Sequence, residues 1–257
     1  MGGKTSCRVG ALLNMLRSQP LEELKRRIAK ALVMVARPLR RLLGRAWFWA
    51  KYGFLPPPEG SDLVGYEALI DYMKENRILE LPGDVVEVGA FCGGGTYKFS
   101  KFLSRMVSGK KVHVIDCFEI EFDKTECAAG TQMAQLYSRH LKGKSQKDVF
   151  SRVTGGLQNV EVIEADSKCA KISANAICFA FIDGNHAPEY VRNDFYLVWD
   201  KLAPGGVVAF HDYGYDLPQV TAALDKLCTE HREEISNRFV NEEKHILFIQ
   251  KRCPREQ

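Results

Sequence analysis

Two short polar segments in the C-terminal half of the chain contain residue types that can bind a metal ion and move a proton. Asp183 begins the segment D-G-N-H-A-P-E-Y, which contains His186, and the second segment reads His211-Asp212-Tyr213. Carboxylates suit hard cations such as Mg²⁺, whereas a histidine ligand shifts the preference towards Mn²⁺, Fe²⁺ or Zn²⁺. Imidazole titrates near neutral pH and can act as a catalytic base. We therefore predict a metal site at Asp183, His211 and Asp212, with His186 or His211 as the base.

The same residues are also compatible with a metal-free site. Asp183 would then contact a cofactor, and one of the two histidines would take the proton. A structural role for all four residues is a third alternative, although buried charges without partners are costly. The two carboxylates favour the metal, and the alternatives stay open at this point.

Buried strands are predicted directly before both polar segments. Residues 177–182 and 207–210 are continuous apolar runs, which are typical of strands buried on both faces of a parallel sheet. The carboxyl ends of such strands form the ligand crevice of an open α/β sheet, so the two polar segments should converge. A helix is predicted between them, at about 191–201.

A glycine-rich turn follows an earlier predicted strand. The stretch 84–100 reads D-V-V-E-V-G-A-F-C-G-G-G-T-Y-K-F-S, which indicates a strand, a turn and a helix. Glycines permit positive φ angles and let a ligand approach free N–H groups at a helix start. A dinucleotide fingerprint needs a glycine two positions after Gly89, where Phe91 would block a pyrophosphate. The simpler alternative is a tight turn without a ligand.

Two further predicted strands end in acidic residues. Residues 112–115 precede Asp116, which lies where a cofactor ribose would be held by its hydroxyls. Residues 160–163 precede Asp166 and Ser167. The alternatives are a turn cap for Asp116 and a helix N-cap for Asp166. The long connection at 118–158, with helical pieces at 131–141 and 146–154, is predicted to supply a lid or a substrate wall.

Together these motifs resemble the class I S-adenosylmethionine (SAM) dependent methyltransferases. More narrowly, the chain is similar to the branch that contains macrocin-type sugar O-methyltransferases and cephalosporin-hydroxylase-like proteins, over about residues 62–250. Catechol-type O-methyltransferases are more distant relatives. The resemblance rests on the following residues, in chain order: Glu87, Gly89, Gly93, Asp116, Asp166, Asp183, Gly184, His186, Tyr190, Pro204, Gly205, Gly206, His211, Asp212 and Tyr213.

The resemblance implies an α/β fold and a SAM site. We expect a doubly wound, Rossmann-like, mostly parallel seven-stranded sheet with an antiparallel C-terminal hairpin, which the apolar runs near 238–240 and at 245–250 also predict. SAM would be the methyl donor, with Mg²⁺ or Mn²⁺ as a possible second cofactor. The implied cofactor-binding residues are Glu87, Gly89, Ala90, Phe91, Gly93, Gly94, Asp116, Asp166, Ser167 and Asp183.

The expected reaction is methylation of a hydroxyl oxygen on a small-molecule acceptor. Asp183, His186 and His211 are the predicted catalytic residues. Transfer to nitrogen or carbon, a non-catalytic methyltransferase-like module at a membrane surface, and an NAD-dependent oxidoreductase are the alternatives. Phe91 argues against the last of these.

The N-terminal part of the chain differs in charge from the rest. Residues 1–51 contain twelve Lys or Arg but only two Glu, within a chain of net charge +4, so the remainder is acidic. We predict a basic helical extension over 1–58, closed by Pro56-Pro57-Pro58, and a methyltransferase domain over 59–257. Amphipathic basic segments within 21–51 fit an anionic membrane surface. Packing on the domain or on a partner subunit is the alternative, and a homo-oligomer stays open.

Composition narrows the expected location and partners. The eight cysteines include no C-x-x-C pair, which fits reduced thiols in the cytosol. No apolar run approaches the roughly 18 residues of a membrane span, and no signal-peptide pattern is present. The acidic body argues against nucleic-acid binding. We expect a cytoplasmic protein, with peripheral membrane association through the N-terminal segment.

Overall fold

The computed structural model describes residues 38–106 and 109–254 of the chain. The chain divides between Pro56 and Pro57 into two compact units. In the first unit, helix α1 covers residues 38–52, in agreement with the helical pattern at 39–49. Its Phe48 ring is buried and lies 4.7 Å from the ring of Tyr52 and 5.4 Å from that of Phe54. The amphipathic segment predicted at 21–35 lies outside the described residues.

The second unit alternates strands and helices through most of its length. Its strands are β1 (Asp84–Val88), β2 (Val112–Asp116), β3 (Val160–Glu164), β4 (Ile177–Ile182), β5 (Leu202–Phe210), β6 (Ile235–Asn241) and β7 (Ile246–Lys251). Its α-helices are α2 (Glu67–Glu75), α3 (Gly94–Met106), α4 (Met133–Leu141), α5 (Gln146–Thr154), α6 (Pro188–Trp199) and α7 (Pro218–Glu230). Two short 3₁₀ helices cover Ile78–Glu80 and Ile120–Phe122.

The seven strands form one sheet in the order β3-β2-β1-β4-β5-β7-β6. The first five strands in this order are parallel, and β7 runs antiparallel to both β5 and β6. Register places the carboxyl ends of the central strands side by side, because Val88 is opposite Ile115 and Ile182, and Ile182 is opposite Phe210. The predicted doubly wound sheet with a C-terminal hairpin is confirmed.

Apolar helices cover both faces of this sheet. On one face, Phe195 and Trp199 of α6 stack with ring centroids 4.7 Å apart over the buried side chains of β4 and β5. On the other face, Phe99 of α3 packs against Phe179, and Tyr66 packs against Phe99 and Phe181. Every residue of β4 is buried, which explains why its sequence lacks alternation. This core holds the strand ends at fixed positions.

Strand β5 begins earlier than the sequence predicts. The sequence predicts a strand at 207–210, but β5 starts at Leu202 and pairs there with Ile177. The register shifts between Ile177 and Phe179, and Gly205 adopts a φ of 79°. A glycine at an irregular strand position permits this positive φ without strain. Among the described helices, none has both the length and the hydropathy to cross a membrane.

Candidate functional site

A cavity opens at the carboxyl ends of the central parallel strands. The cavity is lined by the β1 turn, the end of β2, the 118–158 connection and the segments after β3 and β4. Part of the cavity wall therefore comes from the connection, as predicted. The lining includes Gly89, Phe91, Asp116, Phe122, Asp123, Tyr137, Gln146, Ala165, Ser167, Asp183, Asn185 and Asp194. Crevices at this position are the usual ligand sites of open α/β sheets.

The glycines of the β1 turn permit close packing of backbone against backbone. Gly89 has a φ of 81°, and a Cβ atom there would lie 2.1 Å from the carbonyl oxygen of Asp183. A Cβ on Gly94 would lie 2.4 Å from the backbone of Ser61, and one on Gly95 would lie 2.0 Å from the ring of Tyr66. Only hydrogen fits in these spaces, so the glycines bring β1, β4 and α3 together at the cavity.

Glu87 lies beneath this turn and does not line the cavity. Its side chain is fully buried, and its two carboxylate oxygens accept hydrogen bonds from Tyr66 Oη at 2.7 Å and Thr96 Oγ1 at 2.5 Å. Burial raises the pKa of Glu87 to about 8, although both hydrogen bonds oppose the shift. In the structure this predicted cofactor residue supports the turn from below.

Phe91 forms part of the cavity wall. Its φ is 46°, which is uncommon for a residue with a large side chain. Asp116 stabilises this conformation, because its Oδ2 accepts hydrogen bonds from the N–H groups of Ala90 at 2.9 Å and Phe91 at 3.0 Å. The Phe91 ring lies 5.1 Å from the Tyr137 ring of α4. The turn therefore carries an aromatic wall where a dinucleotide fold has glycine.

Asp116 faces the cavity from the end of β2. Besides the two N–H groups of the turn, its carboxylate accepts hydrogen bonds from the Phe118 N–H at 2.7 Å and from the side-chain amide of Gln146 at 3.2 Å. Burial raises the pKa of Asp116, although these hydrogen bonds oppose the rise. Asp116 thus caps the turn, as in the alternative interpretation, and it also lines the cavity, where the ribose contact stays a prediction.

Asp166 and Ser167 have different positions at the end of β3. Ser167 is buried and lines the cavity, whereas Asp166 accepts hydrogen bonds from the Lys168 N–H at 2.9 Å and from Tyr190 Oη at 3.0 Å, outside the lining. Ala90, Gly93 and Gly94 also lie outside the lining. Asp194 of α6 is a lining residue that the sequence analysis did not single out. Its Oδ2 is buried without a hydrogen-bond partner among the described residues, and burial raises its pKa to about 6.

Five acidic and histidine side chains meet beside this cavity. His186 Nδ1 lies 2.5 Å from Asp123 Oδ2, and His186 Nε2 lies 2.9 Å from Asp212 Oδ2 and 3.8 Å from Asp183 Oδ1. His211 Nδ1 lies 3.2 Å from Asp183 Oδ1 and 3.3 Å from Asp212 Oδ1. We call these residues the Asp/His cluster. It joins the ends of β4 and β5, as predicted from their adjacent strands, and adds Asp123 from the connection.

Charge pairing dominates the electrostatics of the Asp/His cluster. Burial disfavours the charged form of His211, but Asp183 and Asp212 outweigh it and raise its pKa to about 10. Burial lowers the pKa of His186, but its hydrogen bond to Asp123 and its attraction to the carboxylates of Asp183 and Asp212 outweigh burial and raise the pKa. Burial opposes ionisation of the three carboxyl groups, yet the histidines lower the pKa of each. The cluster therefore holds opposite charges in a largely buried site.

The geometry of His186 fits a metal ligand. Its Nε2 is close to Asp212 but is not aligned for a hydrogen bond, and it has no hydrogen-bond partner among the described residues. Asp123 on Nδ1 directs Nε2 towards the carboxylates, as carboxylates do for metal-binding histidines. One ligand atom each of Asp183, His186 and Asp212 lies within 4.8 Å of the other two. The structure therefore groups His186, and not His211, with the two predicted ligands Asp183 and Asp212. His211 lies next to this group.

The sequence analysis did not identify Asp123, Tyr137 or Asp194 as site residues. Asp123 and Tyr137 lie in the 118–158 connection, where no strand end marks a position. Asp194 lies in a predicted helix, and an acidic residue of a helix usually faces solvent, so the sequence does not mark it as a site residue. Burial raises the Tyr137 pKa well above its ordinary value, and Asp183 and Asp123 add to the rise. Tyr137 lines the same cavity as Asp123 and Asp183 of the Asp/His cluster.

Comparisons with known proteins found a matching family model and a curated relative. A methyltransferase-domain family model matches residues 86–213, which include the glycine turn and all five residues of the Asp/His cluster. The mimivirus protein R132 of Acanthamoeba polyphaga mimivirus is 31% identical over 150 residues, which are 56% of this chain and 59% of that protein. The chain thus spans somewhat more than half the length of this curated relative.

Solved structures share the fold. The O-methyltransferase NovP superposes with a TM-score of 0.56 at 16% identity, over 72% of this chain and 78% of NovP. The calicheamicin methyltransferase CalS11 superposes with a TM-score of 0.53 at 15% identity, over 90% of this chain and 93% of CalS11. With the family match and the site geometry, the chain belongs to the class I SAM-dependent methyltransferases.

Proposed function

We propose that this protein transfers the methyl group of SAM to a hydroxyl oxygen of a small molecule, with a divalent cation at the Asp/His cluster. The observation that carries the proposal is the position of Asp183. Its side chain lines the cavity that the glycine turn and Asp116 form, and it also belongs to the Asp/His cluster. A cofactor site and a chemically reactive site therefore share one residue.

The cofactor end of the cavity is formed by the ends of β1, β2 and β3. Gly89 and Phe91 would contact the amino-acid end of SAM, Asp116 the ribose hydroxyls, and Ser167 the adenine. SAM supplies an electrophilic methyl group to the acceptor oxygen. Asp194 is an additional candidate for the adenine end, since its buried carboxyl lines the cavity beside Ser167. Glu87 acts indirectly in this proposal, by supporting the turn.

Asp183, His186 and Asp212 would hold the cation. Their donor set of two carboxylates and one imidazole fits Mg²⁺ less well than Mn²⁺, Fe²⁺ or Zn²⁺. A cation bound there would lower the pKa of an acceptor hydroxyl that contacts it. Asp123 is a positioning residue in this arrangement, because it holds His186 Nδ1 and thereby orients Nε2.

His211 is the better placed of the two histidines for accepting the proton, once a cation at the Asp/His cluster offsets the carboxylates that raise its pKa. Its ring is partly exposed, and only Nδ1 contacts the acids of the Asp/His cluster, whereas both nitrogens of His186 lie against carboxylates. Tyr137 and Phe122 would form the acceptor wall and exclude water. Much of the rate enhancement should come from alignment of the acceptor oxygen with the methyl carbon and the sulfur.

Two observations favour oxygen as the acceptor atom. A cluster of carboxylates that can hold a cation suits a hydroxyl, which needs its pKa lowered before it attacks. NovP, one of the structural neighbours, is described as an O-methyltransferase. Transfer to nitrogen or carbon remains the alternative that an acceptor screen would reveal.

Calorimetric titration of the full chain tests this proposal. S-adenosylhomocysteine should bind, whereas NAD should give no heat, because Phe91 occupies the pyrophosphate position. Mn²⁺ should bind as well, and Asp183→Asn with Asp212→Asn should abolish Mn²⁺ binding. The control Asp200→Asn changes an exposed acid at the end of α6 and should retain it. Binding of NAD in place of S-adenosylhomocysteine would overturn the methyltransferase proposal, and unchanged Mn²⁺ binding in the double variant would overturn the metal site.

We further propose that helix α1 associates with an anionic membrane surface. Leu39, Leu43 and Trp47 recur at four-residue spacing on one face and are all more than half exposed, as are Leu42 and Trp49 beside them. Arg40, Arg41 and Arg45 lie beside this face, and Lys51 follows Trp47 at the same four-residue spacing at the end of the helix. An apolar helix face flanked by cations is the pattern of interfacial helices, and the cations complement anionic lipid headgroups. The cytoplasmic location belongs to the same proposal, since anionic lipids are enriched in the cytoplasmic leaflet.

Vesicle co-sedimentation tests this association. The protein should bind phosphatidylcholine vesicles that contain phosphatidylserine and bind pure phosphatidylcholine vesicles weakly. The variant Leu42→Gln/Leu43→Gln/Trp47→Gln should lose at least about tenfold in vesicle affinity, because it removes the apolar face. The control Leu136→Gln changes an exposed leucine of α4. A stable dimer that the triple variant dissociates would overturn the proposal, because a second copy would then cover the face.

A further inference from the structure

We call the cavity at the carboxyl ends of the central strands the catalytic cavity. A second cavity lies on the other side of the aromatic wall from it. Its volume is about 680 Å³, and the β1 turn, α4, α5 and the loop before α2 line it. Phe91 and Tyr137 line the catalytic cavity, whereas Cys92 and His140 line the second one. The rings of Phe91 and His140 lie 5.4 Å apart, so these side chains separate the two cavities.

The second cavity is strongly basic. Arg139, Lys142, Lys144 and Arg152 line it, and Glu59 is the one carboxylate among its described lining residues. We call it the basic cavity. Its charge is unusual for this unit, because the chain beyond residue 51 carries a net negative charge.

The four cations of the basic cavity have no ion-pair partner within the described part of the chain. Some other exposed cations of the same unit are paired: Lys147 lies 2.6 Å from Glu164, and Arg192 lies 2.7 Å from Glu230. Lys147 is on α5 beside the cavity, so carboxylates are available in this region of the fold. Four unpaired cations around one concave surface repel one another and raise the affinity for an anion.

The floor of the basic cavity is apolar and ordered. Cys92, Leu141 and Val153 are buried at its base. His140 is held in place by a 2.7 Å hydrogen bond between its Nε2 and the carbonyl oxygen of Gly60. A ligand with an organic part would contact this floor while its charged group meets the cations. Guanidinium and ammonium groups together are the usual partners of phosphate oxygens.

We propose that the basic cavity binds the phosphoryl group of an organic phosphate. The proposal does not depend on methyl transfer, because the lining residues are outside the Asp/His cluster and the cofactor wall. The phosphate belongs either to the acceptor molecule or to a separate effector. In both cases Arg139, Lys142 and Arg152 contact the phosphate oxygens.

Calorimetric titration of the full chain with inorganic pyrophosphate and with phenyl phosphate tests the site. Both should bind, and the phenyl ring should add affinity by contacting the apolar floor. Both affinities should fall as the salt concentration is raised, because salt screens the charges. The variant Arg139→Gln/Lys142→Gln/Arg152→Gln should weaken both by at least about tenfold. The matched control Lys74→Gln/Lys171→Gln/Lys226→Gln removes the same charge from exposed positions elsewhere and should change them less than about twofold.

Each result either supports or overturns the proposal. Equal affinity in the cavity variant and the control variant would overturn it, because the anion would then respond to net charge alone. Absence of binding to the unchanged protein would also overturn it. Retained binding of S-adenosylhomocysteine in the cavity variant shows that the fold is intact, and this readout is independent of pyrophosphate binding.

A second titration assigns the source of the phosphate. If the phosphate belongs to an effector, pyrophosphate should change the affinity of the protein for S-adenosylhomocysteine. S-adenosylhomocysteine should then change the affinity for pyrophosphate by the same factor. A phosphate that belongs to the acceptor should leave the two affinities independent. Either result retains the basic cavity as an organic-phosphate site.

Discussion

The glycine turn after β1 and the Asp/His cluster both contain buried carboxylates, but their protonation differs. Within the described residues, Glu87 beneath the turn forms no ion pair, and burial raises its pKa to about 8. Asp123, Asp183 and Asp212 of the Asp/His cluster are also largely buried, yet histidines lower their pKa values. A buried carboxyl paired only with hydroxyls holds a structure in place, whereas one paired with imidazoles keeps the charge that chemistry needs.

The two regions also differ in how the chain assembles them. The hydrogen bonds of Glu87 span nine residues to Thr96 and 21 residues to Tyr66, although the glycines of the turn pack against more distant segments at Ser61 and Asp183. In the Asp/His cluster, Asp123 bonds His186 across 63 residues of sequence. Substitutions in the turn should therefore act on stability, and substitutions in the Asp/His cluster should act on ligand binding.

The largest expected effect is that of Gly89→Ala. Its Cβ would overlap the Asp183 carbonyl oxygen at a φ of 81°, and we expect the free energy of unfolding to fall by about 3 kcal/mol or more. Gly143→Ala is the matched control, since Gly143 has a φ of 78° with nothing within 4 Å of the added atom. The control should cost about 1 kcal/mol in urea unfolding. If both variants lost the same free energy of unfolding, the positive φ alone, and not the overlap with Asp183, would explain why a glycine is needed at position 89.

The next effect is a pH dependence of stability from Glu87. Its pKa in the folded protein is raised from 4.5 to about 8, so the folded state binds more protons than the unfolded state between these values. Its contribution to stability is therefore present below pH 4.5 and is lost as pH rises to about 8. The upper limit of the slope is about 1.4 kcal/mol per pH unit.

Glu87→Gln isolates this contribution. The variant should become more stable relative to the unchanged protein as pH rises from 5 to 8, in roughly the range of 1–3 kcal/mol, when urea unfolding is measured at each pH. Its Mn²⁺ affinity should be unchanged. A stability difference that does not vary with pH would show that Glu87 is ionised in the folded protein.

Asp123→Asn should give a smaller effect of a different kind. Loss of the carboxylate on His186 Nδ1 should weaken Mn²⁺ binding by about tenfold, because the imidazole becomes less basic and less well oriented. S-adenosylhomocysteine affinity should stay within about twofold. Asp225→Asn, which changes an acid paired with Arg238 on the surface, is the control for net charge. Unchanged Mn²⁺ affinity in Asp123→Asn would remove the positioning role.

The smallest expected effect separates two tyrosines. Tyr66→Phe removes the 2.7 Å hydrogen bond to Glu87 and should lower the free energy of unfolding by about 1 kcal/mol. Tyr137→Phe changes a residue that lines the cavity at the strand ends and should alter stability by less than about 0.5 kcal/mol. Thermal and urea unfolding of both variants measure the difference. The opposite order would place the structural tyrosine in the Asp/His cluster and remove the contrast between the regions.

Much of the fold could be predicted because local patterns report it directly. Residues 146–154 were predicted as a helix and form α5 with the same bounds, and the apolar run of β4 was predicted at Ile177–Ile182. The early start of β5 was not predicted, because pairing between Leu202 and Ile177 overrides the turn signal of Pro204 and Gly205. A proline followed by a glycine indicates a turn only where the segment does not pair with a neighbouring strand.

The sequence by itself determined the strand ends, and with them Asp116, Asp183, His211 and Asp212, because parallel strands must present their carboxyl ends at one edge. It could not determine where side chains of the connection return to this edge, so Asp123 and Tyr137 were missed. It also could not decide which way Glu87 faces, since both faces of β1 are buried. Only the tertiary structure placed Glu87 under the turn and His186 between two carboxylates, because those contacts join segments whose separation along the chain carries no periodic signal.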